Sequence, residues 1–193
     1  MLGAPWFAGH VFTFDYAKRR LVLRPDGDVP SVAAEHRIAV GFQRDDTGAV
    51  AVPYGRIQIT VDGTVLDMLL DTGATVVLTE AARAALGGAA THRATSFIIA
   101  SVFERWHEAH PEWRVIEAAD QTSEGEPMIE VPRVPIAGYE VGPVWFTRRP
   151  DSAFHEFMAQ YMDKPSDGAF GGSGLRYLRV TVDWTRGVAA FER

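Results

Sequence analysis

The segment from Tyr54 to Thr75 constrains the fold more than any other part of the chain. Ile57, Ile59 and Val61 alternate with polar residues, Asp62-Gly63 is a strong hairpin-turn signal, and Thr64–Leu70 returns as a second strand. Strand side chains alternate between faces, so a one-residue slip would turn the apolar set toward water, and the pattern itself fixes the register. The second arm runs without a spacer from Leu69-Leu70 into Asp71-Thr72-Gly73-Ala74-Thr75, and another apolar run follows. A carboxylate set where an apolar strand breaks into a glycine turn is presented at the floor of a cleft instead of being paired on the surface. On this reading Gly73 permits the tight turn and a close backbone approach, and the Thr72 hydroxyl locks the loop.

The rest of the chain repeats the same theme of short strands divided by turn residues. Residues 11–23 read as two strands around a polar turn at Asp15–Arg20. From Arg24 to about Thr47 the composition shifts to Pro, Gly, Asp and Arg, with a short apolar patch at Ile38–Phe42, and this stretch reads as a linker crossing a surface. Thr79 caps a short helix over Glu80–Leu86 that Gly87-Gly88 stops, Ser96 caps a longer one from Phe97 to about Ala109, and Asp151 caps a third over Ser152–Met162. Trp113–Glu117 and Met128–Val134 are extended around a polar tip, Val134–Ala137 and Tyr139–Thr147 form a hairpin around Gly138, and Arg179–Trp184 with Val188–Phe191 are strands. Many short strands and few short helices predict a mainly β fold.

The 193 residues are 47% hydrophobic and 23% charged, which suits one compact domain or two small lobes. A formal charge of −6 with no long Lys/Arg run excludes an electrostatic grip on nucleic acid or anionic lipid. The absence of cysteine removes disulfides, Cys-ligated metal centres and thiol nucleophiles, and leaves the compartment open. No stretch approaches the roughly 20 apolar residues that span a bilayer, and Met1–Phe7 lacks the basic region of a signal peptide. The expectation is a soluble protein, cytoplasmic or periplasmic.

Laying the two ends together exposes a repeat. Leu2–Phe7 with Val11–Tyr16 matches Phe170–Leu175 with Arg179–Trp184 without a gap, Asp15 falling on Asp183 at an offset of 168. The division that follows has residues 1–24 as a tail-like segment of a preceding, otherwise missing lobe with Met1 inside it, residues 25–49 as a linker, and residues 50–193 as a complete lobe.

The strand-borne Asp71-Thr72-Gly73-Ala74-Thr75 is followed much later by Ala169-Phe170-Gly171-Gly172. Over residues 50–193 this arrangement resembles the aspartic peptidases, specifically the retropepsin-like bacterial members. The resemblance implies an acid-protease lobe in which an apolar–apolar–Gly motif, here Ala169-Phe170-Gly171 with Gly172 next, runs beside the catalytic loop. It implies that Asp71 is one of two carboxyl groups sharing a proton, that Thr72, Gly73, Ala74 and Thr75 support it, and that no metal or organic cofactor takes part. Its substrate would be a peptide or protein, and the second Asp would come from a homodimer or from the missing homologous lobe. The hairpin Trp113–Val134 occupies the chain position of the family's flap, with Gly125 near its tip and Met128 on its return strand. The tip is acidic, with Asp120, Glu124 and Glu126, and the Tyr of pepsin-like flaps is not apparent. The alternative is a catalytically inactive, peptidase-like module that binds peptides or mediates assembly. Asp183 reads as structural, Asp62 as a turn residue and Asp67 as the polar face of its strand, while His107 and His110, with no third ligand signalled, read as a solvated helix face.

Overall fold

The computed structural model describes residues 3–25 and 27–193; Met1 and Leu2, which open the repeated segment, and Asp26 lie outside them. In chain order the strands are β1 (Val11–Asp15), β2 (Arg20–Arg24), β3 (Arg37–Ala39), β4 (Gly41–Arg44), β5 (Val50–Val61), β6 (Thr64–Leu70), β7 (Thr75–Val77), β8 (His92–Ala94) and β9 (Ser96–Ile99), followed by β10 (Val115–Asp120), β11 (Glu126–Val131), β12 (Val134–Ile136), β13 (Tyr139–Val141), β14 (Val144–Arg149), β15 (Gly168–Phe170), β16 (Arg179–Asp183) and β17 (Val188–Glu192). The helices are short: α1 (Ala4–Phe7), α2 (Glu80–Ala85), α3 (Ala100–Ala109) and α4 (Gly172–Leu175). The fold is mainly β, and none of the described helices is long and apolar enough to cross a membrane.

Two sheets carry the molecule. One has the order β2-β1-β16-β17-β3 and the other β10-β11-β14-β9-β15-β6-β5-β4. Phe12, Val182 and Phe191 of the first sheet share one core with Ile57, Met68 and Phe170 of the second. A smaller cluster joins Val76 and Leu78, α2 through Ala82, and Met128 with Trp145. The β5–β6 hairpin has the register the alternation predicts, from Arg56↔Leu69 to Val61↔Thr64, and Asp62 (φ 49°) with Gly63 (φ 71°) closes it in the left-handed conformation that two-residue turns demand.

Several elements differ from the sequence reading, each for an identifiable reason. Ser96 does not cap a helix: Ser96–Ile99 is the strand β9, and the Ser96 hydroxyl is buried among Ser173 and the Gly171 amide. The helix begins at Ala100, and the Asp151 carboxylate accepts from the Ser101 amide 2.9 Å away, so a distant carboxylate serves as its cap. Asp151 is thereby diverted from its own segment, which forms a wide helical turn at Ala153–Phe157 and a tight one at Met158–Tyr161. The stretch read as a linker holds β3, paired to β17, and β4, paired to β5, so residues 37–44 tie the two sheets together through buried Val40 and Phe42.

The β10–β11 hairpin is anchored at its tip. Buried Asp120 accepts from the Thr122 amide (2.9 Å) and hydroxyl (2.8 Å) with one oxygen, and from Arg149 Nη2 (2.6 Å) with the other. Burial alone would raise the Asp120 pKa, but the Thr122 hydrogen bonds and the Arg149 guanidinium outweigh it and hold the carboxyl below the usual carboxylate range. Asp120→Ala leaves Arg149 facing the vacated site and is expected to cost about 2–4 kcal/mol in urea unfolding. Hydrogen exchange should accelerate first in β10 and β11.

Candidate active site

The apolar residues of β6 seat Asp71. Leu66, Met68 and Leu69 are buried, and β6 pairs in parallel with β15, Gly168↔Met68 through Phe170↔Leu70. The Asp71 amide continues that ladder by donating to Phe170 O at 3.1 Å. The chain then turns: Gly73 N donates to Asp71 Oδ1 (2.9 Å), Ala74 N to Asp71 O (3.3 Å), and Thr75 Oγ1 to Gly73 O (3.0 Å). The hydroxyl that locks the loop is therefore that of Thr75, whereas Thr72 stands between the two cavities flanking it.

The two glycines of the paired motifs differ in what they do. A Cβ on Gly171 would press on the Thr95 carbonyl and lie 2.5 Å from Ala74 Cβ and 3.2 Å from Asp71 O, so only glycine lets three backbone segments meet there. A Cβ on Gly73 would meet only Asp71 Oδ1, at an ordinary 3.5 Å, and Gly73 has no left-handed φ. The expectation that Gly73 serves a tight turn is thus corrected: this lobe does not need a glycine there, and what Gly73 does is leave the loop's open side bare. Gly171→Ala is expected to cost about 2–4 kcal/mol in chemical denaturation, and Gly73→Ala under about 1 kcal/mol.

A buried hydroxyl relay under the loop escaped the sequence reading. Gly171 N donates to Ser96 Oγ (3.0 Å), Ser96 Oγ lies 2.9 Å from Ser173 Oγ, and Ser173 Oγ donates to Trp145 O (2.8 Å). With the Ser173 proton committed to Trp145, the Ser96 proton points to Ser173, and each hydroxyl has a donor and an acceptor. The signal was present in Gly171-Gly172-Ser173-Gly174, a polar residue inside a run too small and too apolar in context to be a surface loop.

Asp71 is half-buried. Burial pushes its carboxyl up, opposed by the hydrogen bonds from Gly73 and Ala74. On one side of the loop opens a cavity of about 440 Å³ whose wall includes Asp71, Phe7, Phe14, Tyr54, Met158 and Trp184. On the other, Thr72 faces Phe14, Tyr16 and Leu21 across a second cavity of about 390 Å³. The Tyr16 hydroxyl is buried with no hydrogen-bond partner among the described residues; burial first, and then the Asp71 charge, push its acidity far down. Tyr16 was not a sequence candidate.

The remaining candidates fall into place as follows. Ala169 and Phe170 are buried in β15, and Gly172 opens α4. Gly125 (φ 81°) lies at the β10–β11 tip. Met128 is wholly buried against the smaller core, so its side chain is a packing element and not part of a surface closing over substrate. Asp183 Oδ1 accepts from the amides of Thr185 and Arg186 and organises a turn. Asp67 accepts from Arg56 and Gln58 and pairs with Lys164, and His110 stacks on Trp113 beside Asp62. The tripeptide Asp-Thr-Gly also occurs at Asp46-Thr47-Gly48, which the sequence reading passed over. There it is the exposed turn between β4 and β5, knotted by Asp45 Oδ1 accepting from Thr47 and Ala49. Context, and not the tripeptide, separates Asp71 from Asp46.

No family model matches the chain, and no curated protein matches it. Among solved structures it is similar to a retropepsin-like aspartic protease from Rickettsia conorii, at 12% identity and a TM-score of 0.41, over 81% of this chain and 93% of that chain. A superposition that loose carries no argument about this chain.

The raised carboxyl has a stability consequence. A carboxyl whose folded pKa lies above its unfolded value contributes stability below the unfolded pKa and loses it as pH rises through the folded one. Asp71→Asn, which keeps an oxygen for the Gly73 amide, should therefore raise the thermal midpoint at neutral pH. The gain should shrink as pH falls through the carboxylate range, read by calorimetry across a pH series.

Proposed function

We propose that the chain is the lobe of an aspartic endopeptidase, with Asp71 as its contribution to a carboxyl dyad and Thr72, Gly73, Ala74 and Thr75 as the supporting loop. The observation that carries this reading is the placement of one half-buried carboxyl, oriented by the Gly73 amide, at the open end of the β6·β15 pair and on the wall of a largely apolar cavity. Two carboxyl groups at close range cannot both ionise cheaply, so they hold one proton between them. The ionised group takes a proton from a water that attacks the scissile carbonyl carbon, and the protonated one gives its proton to the carbonyl oxygen. Collapse of the tetrahedral species expels the amine, which leaves protonated, and the dyad recovers its single proton. No metal or organic cofactor enters this chemistry. The cavity side chains Phe7, Phe14, Tyr54 and Trp184 suit apolar residues of a peptide substrate.

Within the cavities flanking Asp71 the other carboxylate is Asp15, which is committed to the Lys18 amide at 3.0 Å and to Arg20 at 3.6 Å. On this reading the second member of the dyad is supplied by another chain or by a homologous lobe. That same observation favours a second reading, in which the lobe binds peptides without cutting them. In any assembly that supplies the second carboxyl, Asp71→Asn is expected to lower kcat/KM for peptide cleavage by about 10²–10⁴-fold while the circular dichroism spectrum is unchanged. Cleavage should also decline as pH rises and the shared proton is lost. Wild-type cleavage of a peptide library by Asp71→Ala would overturn the assignment, and calorimetric peptide binding with no cleavage would favour the second reading.

A further inference from the structure

Arg93 on β8, Arg114 just before β10 and Arg176 just after α4 are far apart in the sequence, and the fold gathers them around one trough. The trough, about 360 Å³ in volume, is lined by β8, by α4 with Arg176, and by Trp145. It shares no lining residue with the two cavities that flank Asp71. Arg114 lies over the Trp145 ring, 5.7 Å from its centroid. Among the described residues none of the three arginines forms an ion pair. Arg114 donates to Ala85 O and Arg176 to the Tyr177 hydroxyl (2.6 Å), both neutral acceptors. Burial, followed by the Arg176 charge and then that of Arg114, pushes the Arg93 guanidinium pKa down, and the Glu130 carboxylate opposes this without reversing it. In a chain of formal charge −6, this is a local excess of positive charge.

The same trough runs along an unused strand edge. Among the described residues β8 pairs with β7 alone. Their ladder is bracketed by Leu78 N donating to Thr91 O (2.7 Å) and Thr95 N donating to Ala74 O (3.1 Å). Hydrogen-bonded and non-bonded pairs alternate along an antiparallel ladder, so Val76↔Arg93 is the bonded pair between those two. The amide and carbonyl groups of His92 and Ala94 therefore point away from β7, on the side of the strand that the trough follows. Two donors and two acceptors at strand spacing are a template for another strand. An extended peptide supplies matching groups, whereas a phosphate ion or a nucleic acid backbone offers acceptors without donors at that spacing.

We infer that the free edge of β8 and the trough between Arg93 and Arg176 form a docking site for an extended acidic peptide segment of a partner protein. The segment adds a strand beside His92–Ala94. Strand side chains alternate between faces, so carboxylates two residues apart share one face and reach the guanidinium groups together. The site does not rest on the peptidase reading, because it lies outside the Asp71 cavities and would serve an active enzyme and a binding module alike.

The test is an NMR titration of the full chain with a short capped peptide of alternating glutamate and valine. Its glutamine-for-glutamate version and inorganic phosphate serve as controls. The glutamate peptide should bind and slow exchange of the His92 and Ala94 amides at least about tenfold, while the Arg93 amide, already held by Val76, changes little. The glutamine peptide should bind at least about tenfold more weakly, and so should the glutamate peptide on Arg93→Gln/Arg176→Gln. Arg176→Gln alone, an exposed change that leaves half-buried Arg93 in place, should weaken binding in the same direction. No binding of the glutamate peptide, or equal binding of the glutamine peptide, would overturn the inference. Protection of the Thr72–Ala74 amides in place of His92 and Ala94 would also overturn it, and would leave the peptidase reading standing. Phosphate that displaces the peptide while His92 and Ala94 stay unprotected throughout would reduce the trough to an anion site and overturn the strand docking.

Discussion

The structure turns on one close approach: β15 slides in between β6 and β9 so tightly that its last contact is backbone on backbone. Parallel pairing of Phe170 with Leu70 aligns the two apolar arms, and the missing side chain of Gly171 lets the Thr95 carbonyl, Ala74 and the Asp71 carbonyl gather around one point. The position of Asp71 follows from this packing, because its amide is the next rung of the same ladder. Beneath it the Ser96–Ser173 relay satisfies polar groups that close packing would otherwise strand, which matters because an unpaired buried hydroxyl costs more than a paired one contributes. Support is stiff below the loop and absent above it. The Asp71 carboxyl is held in its turn by the amides of Gly73 and Ala74, keeps a raised affinity for its proton because burial outweighs them, and faces a cavity. That is a poor arrangement for a structural ion and a good one for a group that must hold and release a proton.

The first sheet packs against the site from the side of the chain's two ends. Aromatic residues of both chain ends meet beside it: Phe7 lies 5.2 Å from Trp184 and 5.0 Å from Phe12, and Phe7 and Trp184 line the cavity that the Asp71 loop borders. Strand β1 of the opening segment is half of an antiparallel pair whose other half, β16, lies near the end of the sequence. The sheet is asymmetric, with wholly buried Ala190 and Phe191 on its β17 flank and exposed Val22 and Leu23 on β2.

The parts of this architecture written in local pattern were legible in the sequence: the β5–β6 hairpin with its Asp62-Gly63 turn, the Thr79 cap and the terminal strand pairs; the approach of Phe170-Gly171 to the Asp71 loop was implied by the family resemblance and not by local pattern. The parts set by long-range pairing were not. Ser96 reads as a helix cap because serine before an apolar run usually is one, yet a hydrogen bond to Ser173 across 77 residues makes it part of a buried strand. Asp151 likewise serves a helix 50 residues away instead of its own. The polar composition of residues 24–47 hid β3 and β4 because edge strands need little apolar pattern. In the site, Asp71 was readable from its strand, but Asp46 carries the same tripeptide without the same surroundings. Tyr16 gave no signal at all, because only the pairing of β1 with β16 brings it beside Asp71.

The account stands or falls on Asp71 being a proton-exchanging group and not a fixed structural anion. The direct measurement is a carbon-13 NMR titration of its side-chain carboxyl in the full chain, with Asp120 in the same spectrum as the structural reference. The account predicts that Asp71 titrates above the ordinary range for an aspartate while Asp120 titrates below it. An Asp71 resonance that titrates below that range, alongside Asp120, would contradict it.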